Sequence, residues 1–298
     1  MVSDLSAGLK QSAANRAAMV KKFGFVPMSI LKLNRGAFHK SLFHYAGDAG
    51  IANVRDNRIK VNRDNKKRAE DAASDRVGVG NQERAGLSIM PAELVEFFIK
   101  YYARPGDVYL DPFMGQGVQM QVAKAMGLHY YGYDLSAEFF AYIAAVKGKI
   151  DDGKTTIQIT CGDSTTPDEI PDGIGDFSFH SPPYWDIEFY GTEQEQLGYN
   201  HTYPEFLSGM EAVARAWLPK FKKGAWHIVN VNDFRKDGRF YSYHADTIAL
   251  FQRAGWVLHD TWIIDGLVGG LPKAFAVDFN MKRIAPKVHE YALVFRKP

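Results

Sequence analysis

Val108-Tyr109-Leu110-Asp111-Pro112-Phe113-Met114-Gly115-Gln116-Gly117 is the stretch on which the reading of this chain turns. Its apolar opening reads as a buried strand, and the two glycines that follow free the backbone for a tight turn that lets it approach a ligand closely. The next residues, VQMQVAKAMG, carry apolar positions at helical spacing, so the segment reads as strand, glycine loop, helix. Strand-to-helix turns also use glycine for steric reasons alone, and both readings stand on this stretch by itself.

The segment downstream, HYYGYD, reads as a second strand closing on Asp134, about twenty residues beyond the loop. In open α/β sheets a carboxylate at that place accepts hydrogen bonds from ribose hydroxyls. It can instead cap the next helix, although Ser136 is an equally good candidate for that task. Where a dinucleotide fingerprint needs its third glycine, the chain reads Val118-Gln119-Met120. Loop and carboxylate together favour an adenosine ligand without a pyrophosphate.

From Ser88 onward, strand-like and helix-like runs alternate. Helical patterns cover PAELVEFFIKYY, SAEFFAYIAAVKGK, YPEFLSGMEAVARAWLPKF and YHADTIALFQRAG. Further strands are expected at TTIQIT, DFSFHS, GAWHIVNVND, WVLHDTWII and EYALVFRK. The alternation predicts an α/β domain over 88–298, with a mostly parallel seven-stranded sheet and helices on both faces. Residues 1–87 read as an amino-terminal extension. It holds an apolar island, FGFVPMSILKL, from Phe23 to Leu33, suited to docking on the main domain. Between Arg55 and Arg68 seven basic residues stand against Asp56 and Asp64, a run that suits either phosphate contact or a solvated helix face. Residues 70–87, rich in small and polar side chains, read as a linker.

Composition narrows the function classes. With 36 Lys+Arg against 34 Asp+Glu the formal charge is only +2, so a nucleic-acid footprint has to come from local clusters. The single cysteine, Cys161, leaves no internal disulfide and no multi-cysteine metal site, which fits a reducing cytoplasm. No metal is implied. No apolar run is long enough to span a bilayer and the first residues lack the apolar core of a secretory signal, so a soluble cytoplasmic protein is expected.

Ser181-Pro182-Pro183-Tyr184, followed by Trp185, ends the expected fourth strand, at the sheet edge where open α/β folds place their chemistry. An exocyclic base amine is a poor nucleophile because its lone pair is delocalised into the ring. A site that activates it needs two acceptors for its N–H groups and a platform for the ring. The Ser181 hydroxyl and the Pro182 carbonyl are two such acceptors, held by consecutive prolines, and Tyr184 is the platform. The plainer reading is a rigid turn with aromatic packing. A carbon-5 cytosine mechanism would need a Pro-Cys thiolate, whereas Cys161 follows Thr160.

These motifs resemble those of the amino-methylating DNA methyltransferases, the N4-cytosine and N6-adenine methylases of the SPPY type found in bacteria and phages. DPFMGQG is similar to the family's FxGxG cofactor motif, and SPPY to its (D/N/S)PP(Y/F/W) catalytic motif. The resemblance implies a class I S-adenosylmethionine-dependent methyltransferase fold and S-adenosylmethionine as cofactor. Its contacts would come from Ser88, Met90, Asp111, Pro112, Phe113, Gly115, Gly117, Asp134, Leu135, Asp163, Ser164 and Ser181. Asp163, in the CGDS segment, would reach the adenine amino group, or else it caps a turn. Ser181, Pro182, Pro183 and Tyr184 would be catalytic. Double-stranded DNA is the implied partner. Serine at the first motif position leans toward N4-cytosine, with N6-adenine, RNA or protein-glutamine amino-methylation and an inactive binding module as alternatives. DNA contacts are expected from the basic amino-terminal segment, the WDIEFYGTEQEQLGYNHTY loop, where Asp186 and Glu188 follow the motif, or the IDGLVGGLPKAFAVDFNMKR excursion with Lys273, Lys282, Arg283 and nearby Lys287.

Overall fold

In the computed structural model, which describes residues 14–23, 29–32, 90–187, 193, 195–198, 201–265, 283 and 289–298, the VYLD stretch is a central strand of one large sheet. Ser88, the basic segment, the linker, Glu188, Lys273, Lys282 and Lys287 lie outside the described residues. The strands are β1 (Ile30–Lys32), β2 (Val108–Asp111), β3 (His129–Asp134), β4 (Ile157–Cys161), β5 (Gly175–His180), β6 (Phe221–Val231), β7 (Phe234–Lys236), β8 (Arg239–Tyr241), β9 (Val257–Asp265) and β10 (His289–Arg296). The helices are α1 (Ala92–Tyr102), α2 (Val118–Ala125), α3 (Ala137–Ile150), α4 (Tyr203–Trp217) and α5 (Tyr243–Arg253), besides a helical stretch over residues 14–23.

Sheet order is β1-β9-β10-β6-β5-β2-β3-β4. From β4 to β9 this is seven strands in which only β10 runs antiparallel to its neighbours. That is the class I methyltransferase arrangement expected above. The sheet differs from expectation in having an eighth strand: the amino-terminal island supplies β1, which pairs parallel with β9 at Ile30↔Ile263 and Leu31↔Ile264. β7 and β8 form a separate antiparallel hairpin.

Alternation along each strand sorts side chains to two faces, and helices cover both. Phe177, Phe179 and Ile228 join α1 to α3 residues such as Phe98, Val122 and Ile143 in one core. Leu110, Val229 and Val231 join Phe206, Trp217, Leu250 and Phe251 of α4 and α5 in the other. Local signals set the ends of the helices. Thr202 and Glu205 form a reciprocal capping box at α4, with the Glu205 carboxylate accepting from the Thr202 backbone N–H at 2.7 Å. Ser136 caps α3 by accepting from the Phe139 N–H. Because β2, β3, β5 and β6 are parallel and β10 opposes them, four carboxyl ends and one amino end meet along a single sheet edge.

Candidate functional site

A cavity of about 420 Å³ opens along that edge. Its first wall is the glycine loop. Gly115 (φ 49°) and Gly117 (φ 72°) both sit in the left-handed region, which explains their identity without reference to a ligand. Their surroundings separate them. A methyl group on Gly117 would come within 3.2 Å of the Ile143 side chain, so Gly117 lets α2 pack closely on α3 and does not line the cavity. At Gly115 the same position meets nothing within 4 Å, and Gly115 does line it.

Asp134 lies at the end of β3 beside this loop and lines the cavity. One carboxylate oxygen accepts from the Gly115 N–H at 2.8 Å and the other from the Ser136 N–H at 2.9 Å. The helix cap is Ser136 itself; Asp134 braces the loop, and each oxygen keeps a second lone pair for a further donor. Burial raises its carboxyl from the ordinary 3.8 to about 6, against the pull of the two N–H bonds.

Asp111 is placed differently from the expectation of a cofactor contact. It is fully buried beneath the loop and away from the cavity lining, accepting from the Tyr130 hydroxyl at 2.7 Å and the Phe113 N–H at 3.1 Å. Burial pushes its carboxyl up to about 7. Its visible task is to hold the start of the loop to β3. Ser164 likewise donates its hydroxyl to the Pro112 carbonyl, while its own carbonyl accepts from the Trp217 indole at 2.8 Å. Asp163 caps its turn, accepting from the Thr165 N–H at 2.8 Å and the Thr165 hydroxyl at 2.7 Å, and still borders the cavity. Met90, Pro112, Phe113, Leu135 and Ser164 also line the cavity.

Ser181, Pro182, Pro183 and Tyr184 leave the end of β5 in the middle of the cavity wall. Among the described residues no group donates to the Ser181 hydroxyl oxygen or the Pro182 carbonyl, whereas the Pro183 carbonyl accepts from the Tyr243 hydroxyl at 3.2 Å. Tyr184 packs edge-on against Tyr243, ring centroids 5.7 Å apart. Trp185 takes a positive φ of 41° and is held by its indole N–H to the His201 carbonyl at 2.8 Å. The turn is therefore anchored at Pro183, Tyr184 and Trp185, while the oxygens of its two leading residues, both of which line the cavity, accept from no group among the described residues.

The far wall was not singled out from sequence. Asn230, Asn232 and Asp233 from the end of β6, Phe234 just after them and Glu290 from the start of β10 all line the cavity. The Asn230 amide donates to Glu290 at 2.7 Å, and the side-chain oxygens of Asn230 and Asn232 are buried without a partner among the described residues. The sequence signal was available in NVND, where polar residues break an apolar strand at alternate positions. Glu290 becomes relevant only because β10 runs antiparallel to β6, a tertiary fact.

The site is thus one cavity at the carboxyl edge of a class I methyltransferase sheet, with an aspartate-braced glycine loop at one end and a prolyl-prolyl-tyrosyl turn in its middle. Residues 40–145 match the family described as DNA methylase; the match begins inside the amino-terminal extension and takes in the glycine loop and Asp134. A 55-residue segment is 42% identical to the type II methyltransferase M.MjaII of Methanocaldococcus jannaschii, covering 18% of this chain and 10% of that protein. A 49-residue segment is 41% identical to the type II methyltransferase M1.MboII of Moraxella bovis, covering 16% of this chain and 19% of that protein. The matched segments therefore span between a tenth and a fifth of these curated relatives. Among solved structures the chain is similar to TrmN from Thermus thermophilus, 16% identical over 70% of this chain and 49% of that one, with a TM-score of 0.46. Over residues 40–145 and these two shorter segments the chain is thus similar to the DNA methylase family.

The residues present fit the cofactor of that family. The Asp134 carboxylate with spare acceptor capacity, the left-handed Gly115 and apolar side chains at Met90, Leu135 and Phe139 all line the cavity. Among the described residues no group of three His, Cys, Asp or Glu side chains is arranged to hold a metal, and no helix is long and apolar enough to cross a membrane.

Proposed function

We propose that this chain is an S-adenosylmethionine-dependent DNA methyltransferase acting on the exocyclic amine of a flipped-out base in double-stranded DNA in the cytoplasm, with N4 of cytosine favoured over N6 of adenine. The observation that carries the reading is the meeting of the Asp134-braced glycine loop and the Ser181–Tyr184 turn in one cavity. Met90, Gly115, Asp134, Leu135 and Asp163 would hold the cofactor, with Asp134 accepting from ribose hydroxyls. Bound there, the cofactor supplies an electrophilic methyl group on a sulfonium.

The chain's own residues prepare the amine. The Ser181 hydroxyl oxygen and the Pro182 carbonyl accept its two N–H groups, which turns the nitrogen lone pair out of ring conjugation and aims it. Tyr184 stacks on the base and is itself backed by Tyr243. Asn230, Asn232 and Glu290, on the far wall, offer polar atoms to the base edge, and the Asn230 and Asn232 side-chain oxygens, unpartnered among the described residues, are the kind of buried acceptor that a substrate N–H would satisfy. The preference for cytosine rests on serine at the head of the tetrapeptide.

Expression in a methylation-free host, followed by mass spectrometry of the DNA nucleosides, tests this directly. N4-methyldeoxycytidine is expected. N6-methyldeoxyadenosine in its place would correct the base and keep the mechanism, and unmodified DNA would overturn the proposal.

A further inference from the structure

The β7–β8 hairpin, FRKDGRFY, closes on an Asp237-Gly238 turn with φ of 50° and 75°, the backbone that a two-residue type I′ connection demands. Its first residue, Phe234, lines the cavity, and its inner face is fastened to the segment that follows Tyr184. There Lys236 pairs with Asp186 and lies 4.6 Å from the Trp185 ring centroid, and Tyr241 packs against Trp185 at 5.4 Å and on Phe234 at 5.2 Å. The hairpin is therefore a rigid extension of the cavity rim.

Its remaining surface has a different character. Arg235 is exposed on the outer face, Arg239 is exposed on the inner face with its guanidinium 5.1 Å from the Tyr241 ring centroid, and among the described residues neither is ion-paired, in contrast to Arg215 and Arg253, which share Glu211. Phe240 is 41% exposed, and the Arg235 guanidinium lies 5.1 Å from its ring centroid. With Lys236 neutralised by Asp186, Arg235 and Arg239 stand against the single Asp237, a local excess of positive charge in a chain whose formal net charge is only +2. An exposed aromatic ring beside Arg235, with Arg239 exposed on the other face of the same short hairpin, at the rim of a cavity that takes a base, matches the charge and stacking surfaces of a nucleic acid.

We infer that this hairpin grips duplex DNA beside the extruded nucleotide: Arg235 and Arg239 contact backbone phosphates, and Phe240 packs on the base left exposed next to the vacated position. The inference rests on the DNA-methylating reading above. It adds a contact element distinct from the three segments suggested by sequence.

Binding of the full-length chain to a fluorescein-labelled duplex of mixed sequence, followed by anisotropy over a range of KCl concentrations, tests it, because phosphate contacts are read as the salt slope whatever the target sequence. Arg235→Ala/Arg239→Ala should lower the magnitude of that slope by about 2, roughly one per arginine. Lys223→Ala, at the opposite end of β6, should leave it unchanged. Phe240→Ala should keep the slope and lower kcat/KM on unmethylated genomic DNA by about tenfold. Cofactor affinity by calorimetry should match wild type in every variant, since the substituted side chains are exposed. A double variant with the wild-type slope, or Phe240→Ala with wild-type kcat/KM, would overturn the assignment of the hairpin. A wild-type chain that binds no duplex at all would instead sink the DNA reading on which it rests.

Discussion

Ser181 and Pro182 line the cavity, and among the described residues no protein group donates to the Ser181 hydroxyl oxygen or the Pro182 carbonyl, so this is where a change of one atom should be felt most. Ser181→Ala removes one of two amine acceptors and is expected to lower kcat by at least about tenfold, given about 1.5–3 kcal/mol for a hydrogen bond to a group developing charge. Tyr184→Ala removes a base stack of about 1–3 kcal/mol. Both variants should bind the cofactor as wild type does in calorimetry; a loss of cofactor affinity would show instead that the turn supports the loop. Asp134 gives a pH signature. Its carboxyl is raised to about 6, and hydroxyl donors on a ligand favour the charged form, so cofactor affinity should strengthen as pH rises through about 6. Asp134→Asn should weaken binding and flatten that dependence. The same shift has the opposite sign for stability. Between 3.8 and about 6 the folded state keeps a proton that the unfolded chain has lost, so this group costs stability as pH rises through that window and adds no further pH dependence above it.

At the scale of elements, most of the sheet was legible because its strands announce themselves by local pattern. VYLD and HYYGYD form strands at the expected positions, and the other five shift by a few residues at most. Two strand elements were not assigned. The hairpin was missed although Asp237-Gly238 is a strong local turn signal, because its flanks, FRK and RFY, are too short and too charged to show an apolar alternation. β1 was seen only as an apolar island suited to docking, since nothing in a three-residue strand states which edge it will join. Its burial makes a prediction. Leu31 is 1% exposed and belongs to the core between the sheet and α1, so Leu31→Ala should cost about 2–5 kcal/mol, read as a lowered denaturant midpoint at unchanged m-value. A midpoint equal to wild type would mean that β1 contributes nothing to the stability of the sheet.

At the scale of the whole molecule, a pair of buried histidines sits on the face of the sheet covered by α4 and α5. His180, immediately before Ser181, and His227 of β6 approach at 2.7 Å between their Nε2 atoms, and the Nδ1 of each is buried without a partner among the described residues. One ring donates to the other, so both are neutral; burial holds His180 down at about 3 and His227 well below its usual range. The folded chain resists protons that the unfolded chain takes up below 6.5, so the pair should make the protein less stable as pH falls from 6.5 toward about 3. His227→Gln should reduce that slope in pH-dependent thermal melts, and an unchanged slope would assign the acid sensitivity to other groups.

The sequence by itself determined the strand and helix order, the glycine loop, the Asp134 partner and the Ser181–Tyr184 turn, because each is a short contiguous pattern whose physics is local: period, cap, positive φ or consecutive prolines. Tertiary structure alone decided which of the motif residues face the cavity. Asp111 and Gly117 were drawn away into bracing and packing, while Asn230, Asn232 and Glu290 were brought to the far wall. The reason is that strand order and the antiparallel entry of β10 arise from burying two faces of one sheet at once, and no window of sequence contains that pairing.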